Sequence, residues 1–338
     1  MLSRLSIALC CTLALSSTAN ANSYTLRVSH FLPASSNAHA NVIEPWCEKL
    51  EADSDGRLQC QIYPSMQLGG SPSDLADMAR NGVADIVWTA PGYSPGKFPR
   101  TEALELPFLL PYGGVSGNDI IWEFYQQHAY KDYSRFKVLA LFGDGGMDIH
   151  TRETPINSLA DLQGLKLRAS GRIIAETLDA LGATPVSMPP AQMTESIAKG
   201  VVDGAVATWE VVPPTKLNEV TNHHTQLGEE RAAFGYTILA MLMSKRTYDR
   251  LPEDLREIIN DNSGEPLVRA FGEAWDKEMV RARSLVDEES VTELIEAHYN
   301  ELREQVRELP QQWAKRASEK GLDGETLVET VRELSSVD

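Results

Sequence analysis

The chain has 338 residues, of which 42% are hydrophobic and 23% charged, and its formal net charge at pH 7 is −17. This length is greater than a single hydrophobic core usually requires and is sufficient for two lobes. The acidic balance opposes binding to nucleic acid and to anionic membrane surfaces, because both are themselves negatively charged. An anionic ligand would therefore need a local cationic side chain to hold it.

The first residues have the pattern of a secretory signal peptide. Arg4 precedes an apolar run from Leu5 to Leu15, and small residues follow that end in the sequence ANA at 19–21. A positive start, a short apolar stretch and an A-x-A exit are typical of such a peptide, and the run is too short to span a bilayer. We predict that residues 1–21 are a signal peptide and that the remaining chain is exported to the periplasm without stable membrane insertion.

The four cysteines of the chain form two pairs in sequence. Cys10 and Cys11 lie in the predicted signal peptide and leave a lipoprotein as the alternative, although neither follows the small residue that lipoprotein processing requires. Cys47 and Cys60 remain after cleavage. A single pair in an oxidising compartment suggests one disulfide, and the short turn between their predicted elements favours this pairing. Two buried free thiols are the alternative.

Strands and helices alternate in the first part of the exported chain. Strands are predicted at 24–28, 58–63 and 85–89, and helices at 38–52 and 72–80. Strands that alternate with helices are typical of a mostly parallel sheet covered by helices. We therefore predict an α/β fold.

The same alternation restarts farther along, which favours a second lobe. Strands are predicted at 137–142, 165–168 and 205–208, and helices at 172–181 and 191–199. The sequence then changes character. Residues 234–244 are an apolar run that predicts a buried strand, and residues 252–336 are charged and predominantly helical. We expect these last helices to pack across the back of both lobes.

Several segments, taken in their order and spacing, resemble the substrate-binding proteins of tripartite ATP-independent periplasmic (TRAP) transporters. The longest runs from Pro155 to Arg168 with the sequence PINSLADLQGLKLR. The supporting segments are LGG at 68–70, ELPF at 105–108, KGVVDG at 199–204 and YDRLPEDL at 248–255. The resemblance covers nearly all of the exported chain and implies a two-lobed, type II-like periplasmic binding protein whose ligand cleft closes between the lobes.

The resemblance also implies how the chain is divided and what it does. We expect lobe 1 to contain residues 22–145 with about 233–272, and lobe 2 to contain residues 146–232 with about 273–338, including the long C-terminal helices. Such a protein captures a small organic anion and delivers it to integral-membrane permease subunits. A type II binding protein of an ATP-driven importer is the alternative, because it has the same architecture.

Arg168 is the predicted anchor for the anion. It ends a predicted strand, and in open α/β sheets ligands bind beyond the carboxyl ends of the strands. A helix begins a few residues later, and its N-terminus adds free N–H groups and partial positive charge. A guanidinium also matches a carboxylate with two parallel hydrogen bonds. A surface arginine paired with an acid is the alternative, and the resemblance favours the anchor, because the family's carboxylate-binding arginine falls on Arg168.

Two positions depart from the commonest pattern of the family. A second arginine often lies twenty residues before the anchor, where this chain has Asp148, and an asparagine often lies where it has Ala207. These departures make a sugar-acid ligand such as a sialic acid doubtful. His150 and Arg152 lie close enough in sequence to replace the missing donor.

Aromatic residues occur at the predicted strand ends around the cleft. Phe31, Trp88, Tyr93 and Trp209 are the candidates. Aromatic rings bury large apolar areas and stack on flat ligands, although each ring alone is as well explained by core packing. Together they favour an aromatic or small apolar monocarboxylate, with a hydroxy or keto acid as the alternative.

The remaining candidate ligand contacts are His30, Asp148, His150 and Tyr236. His223 and His224 are adjacent on a predicted strand and point to opposite faces, so one metal ion would not bind both. The sequence has no cysteine–histidine metal spacing and no H-E-x-x-H motif, and we expect neither a metal nor another cofactor.

One pattern associated with catalysis is present. Residues 92–96 read GYSPG, which matches the G-x-S-x-G nucleophile elbow of serine esterases. The elbow requires the backbone N–H that follows the serine and a helix that starts there, whereas Pro95 has no N–H. The GDGG segment at 143–146 lacks the lysine and spacing of a phosphate-binding loop. We therefore predict a binding protein and not an enzyme.

Overall fold

The computed structural model describes residues 22–335. The predicted signal peptide, with Cys10 and Cys11, lies outside the described residues. The strands are Tyr24–His30 (β1), Leu58–Tyr63 (β2), Ile86–Thr89 (β3), Phe136–Gly143 (β4), Asp148–Thr151 (β5), Lys166–Ala169 (β6), Thr184–Ser187 (β7), Gly204–Ala207 (β8), His223–Gln226 (β9), Ile238–Ser244 (β10) and Val291–Glu293 (β11). The α-helices are Glu44–Asp53 (α1), Leu75–Asn81 (α2), Gly114–Gln127 (α3), Arg172–Ala180 (α4), Met193–Ala198 (α5), Val212–Thr215 (α6), Lys245–Arg250 (α7), Glu253–Asp261 (α8), Glu265–Arg283 (α9), Glu296–Gln305 (α10), Leu309–Glu319 (α11) and Gly324–Ser335 (α12).

The strands form two sheets in a two-lobed α/β fold, which confirms the predicted class. The first sheet has the order β2-β1-β3-β10-β4, and the second has the order β11-β9-β5-β8-β6-β7. The sheets are mixed rather than mostly parallel: β10 is antiparallel to β3 and β4, and β5 is antiparallel to β8 and β9. The reason is that β5 and β10 each enter their sheet directly after the chain has crossed from the other one.

The two crossing segments hold each other. One leads from β4 to β5 and the other from β9 to β10. The N–H of Asp144 donates to the carbonyl oxygen of Thr237 at 3.2 Å, and the N–H of Met147 donates to that of Gly235 at 3.2 Å. The sheets are therefore joined by hydrogen-bonded, extended backbone rather than by a free linker.

The apolar run predicted as one strand at 234–244 serves two purposes. Phe234 lies in one buried apolar cluster and Ile238 in the other. All seven residues of β10 are buried, and the strand begins only at Ile238, because residues 234–237 cross between the sheets. An apolar run alone does not distinguish a buried crossing from a buried strand.

The predicted disulfide is confirmed. Cys47 on α1 and Cys60 on β2 are bonded, with their Cα atoms 5.7 Å apart. The bond fastens the first helix to an edge strand of the first sheet, since β2 pairs only with β1 among the described residues.

The C-terminal elements divide between the two sheets. The 19-residue helix α9 packs against α3 and β4 and reaches the 3₁₀ turn Trp209–Val211 that follows β8. Helices α11 and α12 pack on each other, and α12 contacts α3. The expected boundaries assigned residues 273–338 to lobe 2. This division stays an expectation: α12 contacts α3, whereas β11 pairs with β9 of the second sheet and α10 contacts the 3₁₀ turn Leu159–Leu162 before β6.

Candidate functional site

A small cavity of about 40 Å³ lies where the strand ends of both sheets meet the crossing segments. From the first sheet and α9 come Phe31, Leu32, Trp88, Tyr93, Leu239 and Trp275. From the strand ends of the second sheet come Arg168, Pro190, Ala207, Thr208, Glu210 and Val211. The crossing segments add Asp144 and Thr237.

Arg168 is the only cationic side chain in this lining within residues 22–335. It lies in β6, one residue from the strand's carboxyl end, and is 3% exposed. Its Nε donates to the carbonyl oxygen of Met188 at 3.0 Å, and its Nη1 donates to that of Val206 at 3.1 Å. These acceptors come from the chain after β7 and from β8, the two strands that flank β6. The guanidinium is thus held in plane by its own sheet.

The charge of Arg168 is only partly compensated. Burial lowers the pKa of its guanidinium, and the charges of Tyr93 and Asp144 oppose that shift; an arginine nevertheless stays protonated in proteins. Burial also raises the pKa of Asp144 to about 7, against hydrogen bonds from Thr237 and Gly146. A carboxyl with that pKa is incompletely ionised near neutral pH. The cavity therefore retains positive charge for an anion to balance.

The wall opposite the second sheet is aromatic. Phe31 stacks on Trp88 with ring centroids 4.7 Å apart and planes 13° apart, and Tyr93 meets Phe31 edge-on at 5.5 Å. Trp275 of α9 meets Trp88 edge-on at 6.2 Å. These four rings brace one another, so the wall is a rigid apolar surface, and the pairs prefer such offset or edge-to-face geometries.

Glu210 is the second buried carboxyl in the lining. It follows β8 in the 3₁₀ turn Trp209–Val211 and is 2% exposed. Burial is the main cause that raises its pKa to about 8, and the charges of Glu278 and Asp144 raise it further. At pH 7 this group is mostly protonated, so it does not repel an anion that enters beside Arg168.

Four polar atoms of the lining are buried and have no hydrogen-bond partner among the described residues. They are Trp88 Nε1, Thr208 Oγ1, Glu210 Oε1 and Trp275 Nε1. Buried polar atoms without partners are rare in folded proteins, because each loses its hydration without compensation. Their concentration around one cavity indicates a site built for a ligand with polar groups.

Arg168, Phe31, Trp88 and Tyr93 are the sequence-predicted residues that the structure brings to this cavity. Trp209 lies outside the lining: its ring packs edge-on against His150 at 4.9 Å and also contacts His224. His150 Nε2 donates to the carbonyl oxygen of Ala207 at 3.2 Å, which leaves its Nδ1 to accept from His224 Nδ1 at 2.8 Å. Burial lowers the pKa of His150 to about 3, in agreement with this neutral, structural pair.

Three other candidates also have partners away from the cavity. His30 Nε2 is 2.8 Å from His39 Nδ1. Asp148 accepts from the hydroxyl of Tyr112 at 2.9 Å. The hydroxyl of Tyr236 donates to the carbonyl oxygens of Pro111 and Gly113, at 2.6 and 2.8 Å. These three side chains therefore bond to other parts of the fold, and they do not line the cavity.

The departures from the family pattern have a simple structural outcome. Ala207 lines the cavity, so the small side chain makes room where a larger amide is common in the family. Arg152 is exposed and donates to the carbonyl oxygens of Ile197 and Ala198, both at 3.3 Å. Neither His150 nor Arg152 lines the cavity, and Arg168 is left as its charged donor.

Sequence reasoning missed the acids and one ring of the site. Asp144 lies in the GDGG segment, whose sequence resembles only a phosphate-binding loop, and its place in a crossing explains its burial. Glu210 directly follows Trp209, so attention to every polar residue after a strand end would have found it. Trp275 lies in the middle of an amphipathic helix, where its spacing has no feature that separates a cavity wall from ordinary core.

The esterase-like segment does not form a catalytic arrangement in the structure. Ser94 is buried, and its hydroxyl donates to the carbonyl oxygen of Ser73 at 2.9 Å.

Among residues 22–335, no group of three or more histidine, cysteine, aspartate or glutamate side chains is arranged to hold a metal ion. In the same range, no helix is long and apolar enough to cross a membrane.

Two lobes joined by crossing segments, with a cavity at their strand ends, define the class of solute-binding proteins. Comparison with known families agrees: residues 28–320 match the bacterial extracellular solute-binding proteins, family 7. The chain belongs to this family, and the TRAP-type assignment made from the sequence is confirmed.

Known relatives and structures resemble the chain over most of its length. A TRAP solute-binding protein from a marine metagenome, described as specific for aromatic acid ligands and solved with 3-hydroxybenzoate, is 38% identical with a TM-score of 0.89 over 93% of this chain and 98% of that one. A TRAP protein from Rhodoferax ferrireducens, solved with copurified benzoate, is 34% identical with a TM-score of 0.90 over 93% and 98%. The C4-dicarboxylate-binding periplasmic protein of Rhodobacter capsulatus is 26% identical over 72% of each chain.

Proposed function

We propose that this protein is the periplasmic receptor of a TRAP transporter for a small aromatic or apolar monocarboxylate. The observation that carries the proposal is a buried, main-chain-fixed guanidinium that faces a rigid wall of four aromatic rings in one cavity. The anion balances the charge of Arg168, and its flat body packs against the wall.

Arg168 binds the carboxylate through its remaining N–H groups. Two of the five donors of its guanidinium are used by the carbonyl oxygens of Met188 and Val206. These bonds fix the orientation before a ligand arrives, so little side-chain entropy is lost on binding. Helix α4 begins at Arg172, four residues after the anchor, and its N-terminus adds favourable potential for an anion.

The wall and the size of the cavity limit the ligand body. Phe31 and Trp88 lie nearly parallel, a surface that suits another flat ring. The two relatives solved with 3-hydroxybenzoate and benzoate, at 38% and 34% identity, support an aromatic acid. A hydroxy or keto acid is the second candidate, because Thr208 and Glu210 bring polar atoms without partners to the same cavity.

We propose binding without catalysis. An esterase requires a serine hydroxyl that is bonded to a base, and the Ser94 hydroxyl instead donates to a main-chain carbonyl. Membership of a family of transport receptors supports the same conclusion. Export by the predicted signal peptide and delivery to permease subunits complete the proposed role, in keeping with curated relatives that are periplasmic binding proteins.

A thermal-shift screen of the exported chain tests the proposal. A ligand that binds only the folded state raises the melting temperature by mass action. We expect benzoate or a close analogue to raise it, and succinate, glucuronate and ectoine to leave it unchanged. Stabilisation by a dicarboxylate, a sugar acid or ectoine alone would contradict the aromatic-acid assignment while leaving the transporter family intact.

A further inference from the structure

Glu210 is a buried acid that the proposed carboxylate contact does not use. It lines the same cavity as Arg168, and the two side chains are not bonded to each other. The electrostatic neighbours of Glu210 are Glu278 and Asp144, whereas those of Arg168 are Tyr93 and Asp144. Asp144 is common to both sets, and Arg168 and Glu210 are two separate polar groups of one cavity.

The surroundings of Glu210 lack a donor for it. Its Oε1 is buried and has no hydrogen-bond partner among the described residues. Glu278, which faces it from α9, is held by Arg281 in an ion pair at 2.5 Å, so neither member of that pair compensates Glu210. A buried acceptor that lacks a partner costs free energy until a donor reaches it. Because Glu210 lines the cavity, a ligand bound there can supply this donor.

We propose that Glu210 is a specificity-determining residue that accepts a hydrogen bond from a hydroxyl group of the ligand, away from the ligand's carboxylate. This inference rests on the proposed function and names its substrate class more closely, as hydroxylated aromatic acids. A carboxyl group offers an acceptor oxygen in its ionised form and in its protonated form. The contact is therefore available on either side of neutral pH.

Other polar groups of the same lining support the same ligand chemistry. Trp88 Nε1 and Trp275 Nε1 are donors without partners, and Thr208 Oγ1 is a hydroxyl without one. A ligand hydroxyl donates one hydrogen bond and accepts others. Such a hydroxyl brings to the cavity a donor and an acceptor that the ring of an unsubstituted benzoate lacks.

The test compares benzoate with 3- and 4-hydroxybenzoate by calorimetry on the wild type and on Glu210→Leu. The wild type should bind the better hydroxybenzoate at least about tenfold tighter than benzoate, the value of one hydrogen bond to a buried carboxyl. Glu210→Leu should lose this preference and bind benzoate and the hydroxybenzoates with about equal affinity. Glu210→Gln keeps a carbonyl acceptor and should retain most of the preference. A methoxybenzoate, which has the oxygen without the donor, should bind the wild type no better than benzoate does.

Glu105→Gln is the matched control. Glu105 is equally buried, its pKa is raised to about 8 mainly by burial, and it does not line the cavity; its substitution should leave the preference unchanged. Wild-type protein that binds benzoate tighter than both hydroxybenzoates, or an undiminished preference in folded Glu210→Leu, would overturn the role of Glu210 and leave the proposed function standing. Failure of every aromatic acid to bind would instead refute the proposed function, and the inference with it.

Discussion

The two walls of the cavity differ in chemistry and in how they are built. The wall from the first sheet and α9 is made of rings that pack on one another, such as Phe31, Trp88 and Trp275. The wall from the second sheet carries Arg168 and Glu210, and Arg168 is fixed by main-chain carbonyls of neighbouring strands. The first wall recognises shape and apolar area, and the second recognises charge and hydrogen-bonding groups.

The polar wall and the aromatic wall should contribute differently to the free energy of binding. A charged contact that is desolvated from both sides contributes more to affinity than one stacked ring, because removing one partner leaves the other buried and uncompensated. The apolar wall contributes through area, and the loss of one ring removes only part of it. We therefore expect substitutions in the polar wall to have the larger effects.

The largest effect should follow removal of the anchor. Arg168→Ala should weaken carboxylate binding by about 2–5 kcal/mol, or about 30-fold to several thousand-fold. Arg168→Lys should also weaken binding, because an ammonium cannot make the planar pair of bonds and cannot keep both main-chain contacts. Calorimetry with the ligand found by the thermal-shift screen measures both, and circular dichroism reports whether the variants fold.

Arg152→Ala is the matched control for the anchor. Its guanidinium is exposed, donates to the main-chain carbonyls of 197 and 198, and forms an ion pair with Glu153 at 3.5 Å. Its loss should leave affinity unchanged. If Arg152→Ala and Arg168→Ala have the same small effect in folded protein, the charge of the polar wall is not the anchor.

The apolar wall should contribute less. Phe31→Ala should weaken binding by about 1–3 kcal/mol, the range for a packed aromatic side chain. Ligand should also change tryptophan fluorescence, because Trp88 and Trp275 line the cavity. Trp209→Phe should preserve the affinity, since Trp209 packs on the histidine pair instead. Equal losses in Phe31→Ala and Trp209→Phe would show that the ligand reaches beyond this cavity.

The positions of Arg168 and Trp209 show which site residues could be predicted from the sequence. Arg168 was predicted because a strand end limits where a side chain can point and because the family places its anchor there. Trp209 also follows a strand, but β8 ends at Ala207 and a 3₁₀ turn begins, so successive side chains point in different directions. Glu210 thus lines the cavity and Trp209 does not. The direction of a side chain in such a turn depends on the helix packed over it, here α9, which lies far away in sequence.

Contacts between segments that are distant in sequence also limited the prediction of the fold. Alternating strands and helices predicted two lobes and the α/β class, because those patterns depend on neighbours in sequence. The antiparallel entry of β5 and β10 and the packing of α12 on α3 depend on contacts between distant segments. A single sequence contains no periodic signal for them.

The acids of the site make binding depend on pH. The pKa of Asp144 is raised to about 7 and that of Glu210 to about 8, in both cases mainly by burial. Both groups hold protons below these values and lose them as pH rises, and each ionisation places a negative charge beside the ligand anion. The charged groups that face them are Arg168 and Glu278.

Affinity for a carboxylate should therefore fall by about tenfold between pH 6 and pH 9, on the scale of one pKa unit per tenfold. Binding at pH 7.5 should take up protons, which calorimetry in buffers of different ionisation enthalpy detects. Glu210→Gln should flatten the upper part of the profile. Affinity that rises with pH would show that these carboxyls bind the ligand in their charged form.

The stability of the ligand-free protein should also fall as pH rises. The pKa values of Asp144 and Glu210 are higher in the native state than in the unfolded state, so this part of the stability is lost as pH rises through about 7 to 8.

The smallest expected effect concerns the contact between the two halves outside the cavity. Arg172, the first residue of α4, pairs with Glu102 at 2.5 Å, and Trp313 Nε1 donates to the same carboxylate at 3.2 Å. Glu102 lies in a 3₁₀ segment that contacts β10 of the first sheet, whereas α4 packs on β6 and β7 of the second. The pair thus links the element after the anchor to the opposite wall.

Arg172→Ala should leave the fold intact and increase the ligand dissociation rate about twofold to fivefold, because a pair whose arginine side chain is 35% exposed contributes about 0.2–1 kcal/mol. Stopped-flow fluorescence measures this rate, and the effect should shrink at high salt, which screens the pair. Arg269→Ala is the control, since the Arg269–Glu273 pair lies within α9 alone and both side chains are 61% exposed. An unchanged dissociation rate in Arg172→Ala would mean that the two walls are held around the ligand by the ligand itself and by the crossing segments, without help from this ion pair.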